Sequence, residues 1–184
     1  QALVEASTFD AFDGKAGEVT STVLGDGQST LSISGSTFTK NFGSKGGAIS
    51  LSGGCTLTLT GVTLQNNSGV NGGAVYAEDS GLNFEGTVCD NNLASGHGGC
   101  VSVNGKAGWI SVGGNSAFRA NEAKGDGGAI ALNDTLSSGF GNSDCIGNTA
   151  REGNGGCFVA HRAVNIVFAN SSTISNNVVK KGNG

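Results

Sequence analysis

Cysteine thiols, carboxylates and histidines are the side chains of this sequence that could do chemistry. There are five Cys, fourteen Asp or Glu and two His. A polysaccharide hydrolase or lyase would need several carboxylates converging on one face, often around Ca²⁺, with a basic side chain beside them. The acidic residues are instead scattered, and only Glu78, Asp79 and Glu85 are close enough in sequence to be a weak Ca²⁺ candidate. We therefore expect no catalytic residue, no bound metal and no other cofactor.

The overall charge excludes two classes of partner. The net charge is −4 and charged residues make up 13% of the chain, without a basic stripe. Binding to nucleic acid or to an anionic membrane surface therefore has no electrostatic basis. No run approaches the ~20 apolar residues of a transmembrane helix. The partner that we expect is a protein or glycan receptor on a surface, or another copy of this chain joined end to end.

A repeated motif indicates which structural units carry the cysteines, carboxylates and histidines. The second glycine of a Gly-Gly pair recurs at positions 47, 73, 99, 128 and 156, at intervals of 26, 26, 29 and 28 residues. An apolar residue or Cys, two further residues and an Asn precede each pair. Such a fixed period is typical of a solenoid. We interpret residues 30–184 as tandem repeats and residues 1–29 as a degenerate N-terminal coil or cap, the whole being a fragment of a longer protein.

Within each repeat, apolar and polar residues alternate with a period of two, which is typical of strands. Ile49 and Leu51 show this alternation, as do Leu57 and Leu59. Each repeat has room for three short strands and three turns. The sequence therefore predicts an all-β, right-handed parallel β-helix of about six three-stranded coils, with glycines at the corners. At another corner, stacked side-chain amides should form a structural ladder. Its members are Asn41, Asn67, Asn92, Asn121, Asn148 and Asn177.

The cysteines occupy two positions of the repeat. Cys89 and Cys145 replace the apolar residue of the Asn motif, and in the same repeats Cys100 and Cys157 replace the Ala after the glycine pair. Other repeats combine Phe or Leu with Ala, so the two positions should face each other. We predict the disulfides Cys89–Cys100 and Cys145–Cys157; two buried free thiols per coil are the alternative. Cys55 should be a lone buried thiol. Disulfides would indicate an oxidising, extracellular compartment.

Several outward-facing residues are candidates for surface function. Trp109 and Tyr76 alternate with inward residues, so both should be exposed and could anchor a protein or a sugar. His97 and His161 should lie two coils apart at opposite ends of the same strand, which does not suggest a metal site. Three sequons could carry N-linked glycans in a eukaryotic source. They begin at Asn66, Asn133 and Asn170.

Three of the repeats combine FTKN with GGAI (38–49), LQNN with GGAV (64–75) and FRAN with GGAI (118–130). In this combination they resemble the repeat of the polymorphic outer-membrane proteins of chlamydiae, and the likeness covers about residues 30–184. Similar repeats also occur in secreted proteins of algae and other protists. The resemblance implies a secreted β-helical passenger, displayed at the cell surface, that adheres to host cells.

Three functions are therefore open. The predicted function is that of a non-enzymatic, adhesin-like passenger or stalk that mediates attachment. The first alternative is a structural subunit that assembles end to end into an extracellular fibre, which regular filaments would support. The second alternative is a polysaccharide-active enzyme, which three or more carboxylates converging in a groove would support.

Overall fold

A computed structural model describes residues 2–5, 7–10, 23–163, 165–169 and 171–182. The regular structure of these residues consists of 26 short strands, and the described part of the chain contains no helix. The strands wind into a parallel β-solenoid of about six coils. The predicted all-β solenoid class is therefore confirmed.

Each complete coil contributes one strand to each of four parallel sheets, numbered here in the order in which the chain passes through them. Sheet 1 consists of β1 (Ala2–Glu5), β4 (Thr30–Ser34), β8 (Thr56–Thr60), β12 (Gly81–Glu85), β16 (Trp109–Gly113), β20 (Ser137–Gly141) and β24 (Asn165–Ala169). Sheet 2 consists of β2 (Thr8–Asp10), β5 (Thr37–Thr39), β9 (Thr63–Gln65), β13 (Val88–Asp90), β17 (Ser116–Arg119), β21 (Ser143–Ile146) and β25 (Thr173–Ser175). Sheet 3 consists of β6 (Phe42–Lys45), β10 (Ser68–Asn71), β14 (Leu93–Ala94), β18 (Glu122–Ala123), β22 (Thr149–Ala150) and β26 (Val178–Val179). Sheet 4 consists of β3 (Val23–Gly25), β7 (Ile49–Leu51), β11 (Val75–Glu78), β15 (Val101–Asn104), β19 (Ile130–Asn133) and β23 (Phe158–His161).

The coils have four strands instead of the expected three, because a short strand of sheet 3 lies between the Asn motif and the glycine pair. The strands of sheet 3 are two to four residues long. Small residues such as Gly43, Gly69 and Ala94 occupy one register column there. The inward column therefore carries no large apolar signal, and the large apolar residues beside it, Phe42, Val70 and Leu93, are exposed. The handedness of the coil stays a prediction.

Equivalent side chains of successive coils lie over one another. In sheet 2, Phe38 pairs in register with Leu64, and Leu64 pairs with Cys89. In sheet 4, Ile49 pairs with Val75. These side chains are fully buried and belong to one continuous hydrophobic core. Because burying a large apolar side chain contributes roughly 1.5–3 kcal/mol, the stacked interior is the main stabilising element of the solenoid.

The coils differ in length, but not at every corner. The Asn follows the inward residue of sheet 2 by three positions in every coil, as from Phe38 to Asn41 or from Cys89 to Asn92. From that Asn to the second glycine of the pair, the separation is six residues in the first two coils, then seven, seven and eight. The corner between sheets 2 and 3 is therefore constant in length, whereas the corner between sheets 3 and 4 accommodates insertions.

The N-terminal region pairs with the first complete coil in the same way. Strands β1, β2 and β3 pair in parallel with β4, β5 and β7. Residues 11–22 lie outside the described residues. The interpretation of residues 1–29 as a degenerate coil or cap therefore stays a prediction.

Candidate functional site

The repeated Asn forms a ladder at the corner between sheets 2 and 3. From Asn67 onward, each ladder Oδ1 accepts two hydrogen bonds from the Asn of the preceding coil. For Asn92, the backbone N–H of Asn67 donates at 2.9 Å and the Nδ2 of Asn67 at 3.0 Å. Each interior Nδ2 also donates to a sheet 2 carbonyl, as from Asn92 to Leu64 O at 2.9 Å. This pattern links all six asparagines, from Asn41 to Asn177. The asparagines expected to stack therefore form one hydrogen-bonded column.

The ladder requires an amide, because each side chain both accepts and donates. A carboxylate could accept these bonds but could not donate any, and an alanine could do neither. The left-handed conformation at this corner belongs to the residue before each ladder Asn, with φ of 56° at Lys40, 54° at Asn91 and 50° at Ala120. The ladder thus satisfies the buried polar groups of a tight corner, and its role is structural.

The two predicted disulfides, Cys89–Cys100 and Cys145–Cys157, are present, with Cα atoms 6.2 and 6.0 Å apart. Each joins an inward residue of sheet 2 to the residue that leads into sheet 4 of the same coil. Cys55 is a buried free thiol, and its Sγ lies 2.9 Å from the carbonyl oxygen of Gly27. The free thiol of the described residues is therefore buried, and the other four cysteines are held in disulfides.

The outward face of sheet 4 is the floor of a groove, called here the sheet 4 groove. One wall consists of the residues just before the glycine pairs: Lys45, Asn71, His97, Asp126 and Asn154. The opposite wall consists of the last residues of the sheet 4 strands: Glu78, Asn104, Asn133 and His161. The floor is formed by Tyr76, Ser102 and Ala131, which are all buried. The part of the groove between Tyr76 and His161 is an open pocket of about 330 Å³.

Tyr76 is only 6% exposed, which corrects the prediction that it is an accessible aromatic anchor. Lys45 crosses the groove to Glu78 on the opposite wall, with Nζ 2.9 Å from Oε2, and its Nζ lies 5.0 Å from the centre of the Tyr76 ring. The hydrogen bond to Glu78 raises the pKa of Lys45. Burial raises the pKa of the Tyr76 phenol, against the opposing effect of the Lys45 charge. Alternation predicts that this ring points outward, but not that neighbouring side chains cover it.

A second contact crosses the groove three coils further along the same wall. His161 Nε2 lies 3.3 Å from Oδ2 of Asp126 on the opposite wall. The backbone N–H and the Nδ2 of Asn154 donate to Oδ1 of Asp126 at 2.6 and 3.1 Å. Burial is the largest single effect on Asp126 and acts to raise its pKa. The hydrogen bonds from Asn154 and His161 act against burial, and the pKa of this carboxyl lies below its usual value.

The two histidines lie on opposite walls, and Asp126 brings them together in a way that the sequence did not indicate. His97 Nδ1 accepts the backbone N–H of Asp126 at 3.0 Å, so this nitrogen carries no proton. Its 3.4 Å approach to Oδ2 of Asp126 is consequently a contact and not an ion pair. Within the described ranges, no group of three or more His, Cys, Asp or Glu side chains could hold a metal ion.

The remaining candidates lie outside the groove or on its rim. Trp109 is partly exposed, and its indole lies directly against Gly81 of the preceding coil, where no side chain would fit. Of the sequon asparagines, Asn66 is exposed and Asn133 is half-buried in the groove wall. Asn170 lies outside the described residues. Glycosylation of all three stays a prediction.

The three acidic residues considered for Ca²⁺ have separate surroundings. Glu78 is paired with Lys45, and Oδ1 of Asp79 accepts the backbone N–H of Ala107 at 3.1 Å. Glu85 is the last residue of β12 in sheet 1. A shared Ca²⁺ site therefore has no geometric support from these residues.

The sequence missed the contacts between the groove walls. Each wall residue is placed by its distance from a glycine pair, either immediately before it or at the end of the strand that follows. The shared position relative to the glycine pairs could have indicated the wall residues. It does so only if the corners on both sides of sheet 4 are known to project beyond the strand between them.

The fold and its ladder define a parallel β-solenoid braced by disulfides. The family model described as the Chlamydia polymorphic membrane protein (Chlamydia_PMP) repeat matches residues 61–78. This segment contains the LQNN and GGAV motifs, so the resemblance predicted from them is confirmed for this repeat. No curated protein and no protein of solved structure matches the chain. Among the described residues there is no helix of the length and apolar character needed to cross a membrane.

Proposed function

We propose that this chain is a non-enzymatic, adhesin-like β-helix at an extracellular or outer cell surface, where it attaches to a protein or glycan receptor. The observation that carries the proposal is the Chlamydia polymorphic membrane protein repeat within a disulfide-braced solenoid. Disulfides form and persist mainly in oxidising compartments outside the cytoplasm. Repeat and disulfides together support display at a surface.

The arrangement of charged groups supports a binding function over an enzymatic one. The groove has two nearby carboxylates, and both are engaged: Glu78 with Lys45, and Asp126 with Asn154 and His161. They lie on opposite walls and two coils apart. Glycoside hydrolysis needs two facing carboxyl groups at a separation of about 5–9.5 Å. The groove side chains are therefore arranged as fixed contact groups and not as an acid–base pair.

An attachment assay tests the proposal. The oxidised chain, produced in the bacterial periplasm and coupled to beads, should make the beads adhere to cultured animal cells, and the free chain should compete. Beads carrying the reduced and alkylated chain have the same composition without the disulfides and are the control. If oxidised and alkylated beads adhere equally, or if free chain does not compete, the proposed attachment function is wrong.

A further inference from the structure

The sheet 4 groove is closed at both ends by side chains that cross it. The Lys45–Glu78 contact closes one end and the Asp126–His161 contact closes the other. Lys45 and Asp126 are three coils apart on the same wall, which corresponds to about 14 Å at the strand spacing of a β-sheet. A long polymer running along the solenoid axis would collide with both contacts. The space between them suits a compact group that enters from the solvent.

The polar groups in this pocket offer both donors and acceptors. Asn104 Nδ2 donates to Ser102 Oγ at 3.0 Å, which leaves the Ser102 hydroxyl proton available to a ligand. His97 uses Nδ1 to accept a backbone N–H, so its remaining ring N–H is a donor. The side chain of Asn133 forms no hydrogen bond with another described residue, and its amide offers both kinds of group. A ligand hydroxyl can donate and accept at once and would match this mixture.

The charges of the pocket favour a neutral ligand. Lys45 is neutralised by Glu78, and Asp126 is held by Asn154 and His161. The described pocket residues therefore offer no unpaired cation to an acidic ligand. The floor next to Tyr76 is made of the small side chains Ser102 and Ala131, which leave room for a compact ring between the walls.

We propose that the sheet 4 groove binds a neutral sugar, the terminal unit of a surface glycan, between its two crossing contacts. The inference rests on the proposed attachment function and names the receptor chemistry for it. Ser102, Asn104 and His97 project from paired strands and their adjoining corners and are held by hydrogen bonds, so these groups require little ordering on binding. A pocket of about 330 Å³ is at the small end of ligand sites, which fits one sugar ring with part of the next.

A nuclear magnetic resonance titration tests the proposal directly. The oxidised chain from bacteria, which carries no N-linked glycan, is titrated with glucose, galactose, mannose and N-acetylglucosamine, and separately with glucuronic and sialic acids. At least one neutral sugar should saturably shift the backbone amides of Ser102, Asn104 and Asn133. Acidic sugars that bind more tightly than every neutral one, or shifts confined to other sheets, would overturn the proposal. So would the absence of any saturable shift.

Two matched pairs of variants locate the site. Asn133→Ala should weaken sugar binding about tenfold, because it removes two hydrogen bonds. Asn83→Ala, at a half-buried Asn on the outward face of sheet 1, should leave binding unchanged. Ala131→Phe should abolish binding by filling the floor, whereas Ser111→Phe on sheet 1 should not. If Ala131→Phe fails to fold, the Asn133 pair still decides: equal affinities of Asn133→Ala and Asn83→Ala would refute the site.

The attachment assay separates this inference from the proposed function. Beads carrying Asn133→Ala should adhere less than beads carrying Asn83→Ala, and periodate oxidation of the cell-surface glycans should remove the difference. If wild-type, Asn133→Ala and Asn83→Ala beads adhere equally well to the cells, the glycan site is wrong while attachment stands. If neutral sugars bind in the groove but wild-type beads adhere to no cell, the attachment function is wrong while the site stands.

Discussion

The asparagine ladder should be most sensitive to substitution at its centre. Asn92 is fully enclosed, with ladder members on both sides. Asn92→Ala removes a side chain that accepts two hydrogen bonds from Asn67 and donates two, to Leu64 O and to Asn121 Oδ1. All four bonds are 2.9 to 3.0 Å long and buried, so water cannot replace them without entering the core.

The cost can be worked out from the groups that are left behind. The backbone N–H of Asn67 loses its acceptor, whereas Asn67 Nδ2 keeps its bond to Phe38 O. A buried donor without a partner costs about 1–3 kcal/mol, and each remaining lost bond costs about 1 kcal/mol. The expected loss in the free energy of unfolding is therefore about 5 kcal/mol. For a chain of this length, the loss corresponds to a decrease in Tm of roughly 15 °C.

Guanidinium unfolding followed by circular dichroism measures this loss. Asn83→Ala removes an outward amide without a hydrogen-bond partner among the described residues and should change stability by less than about 0.5 kcal/mol. Asn177→Ala removes three part-buried hydrogen bonds that water can partly replace, and it should cost about 2 kcal/mol, less than Asn92→Ala. If Asn92→Ala is no less stable than Asn83→Ala, the ladder does not stabilise the solenoid and the reasoning fails.

Three further perturbations test other parts of the structure. Replacing both Cys89 and Cys100 by Ser should lower stability by about 3 kcal/mol, measured by thermal unfolding without reductant; an unchanged Tm would contradict a bracing role. Gly99→Ala should destabilise strongly, because the added Cβ would lie 2.7 Å from a backbone nitrogen of the next coil, whereas Gly139→Ala has open space and should not; equal unfolding midpoints would disprove the close packing. For Asp126, whose pKa is lowered by folding from 3.8, the ionised form stabilises the fold above that pH and loses its effect as the pH falls through the folded value. The stability difference between wild type and Asp126→Asn should thus shrink as the pH falls below 3.8, and a difference that stays unchanged there would refute this.

The features that repeat in every coil could be predicted from the sequence. The period gave the solenoid, and the joint replacement of two positions by Cys predicted the pairs Cys89–Cys100 and Cys145–Cys157. Both inferences depend on columns of equivalent residues, so several copies of the motif support each one. A ladder Asn such as Asn92 was recognisable for the same reason.

The features that depend on the shape of one coil could not be predicted. Alternation correctly placed Tyr76 on the outward side of its strand, but it contains no information about whether that side is convex or concave. The contacts of Lys45 with Glu78 and of Asp126 with His161 join positions 33 and 35 residues apart, which matches no simple repeat interval. The strands of sheet 3 were not predicted because their inward residues are too small to produce an alternation of apolar and polar residues.

The corner between sheets 2 and 3 has a constant length, whereas the corner between sheets 3 and 4 is longer in the later coils. This difference indicates where the chain could be engineered. A foreign peptide grafted after Glu152, in the longest of these corners, would enter where the chain has already absorbed extra residues. The same graft between Cys89 and Asn92 would displace one rung relative to its neighbours. The solenoid should therefore tolerate inserted peptides at the corner between sheets 3 and 4, while the asparagine ladder keeps the coils in register.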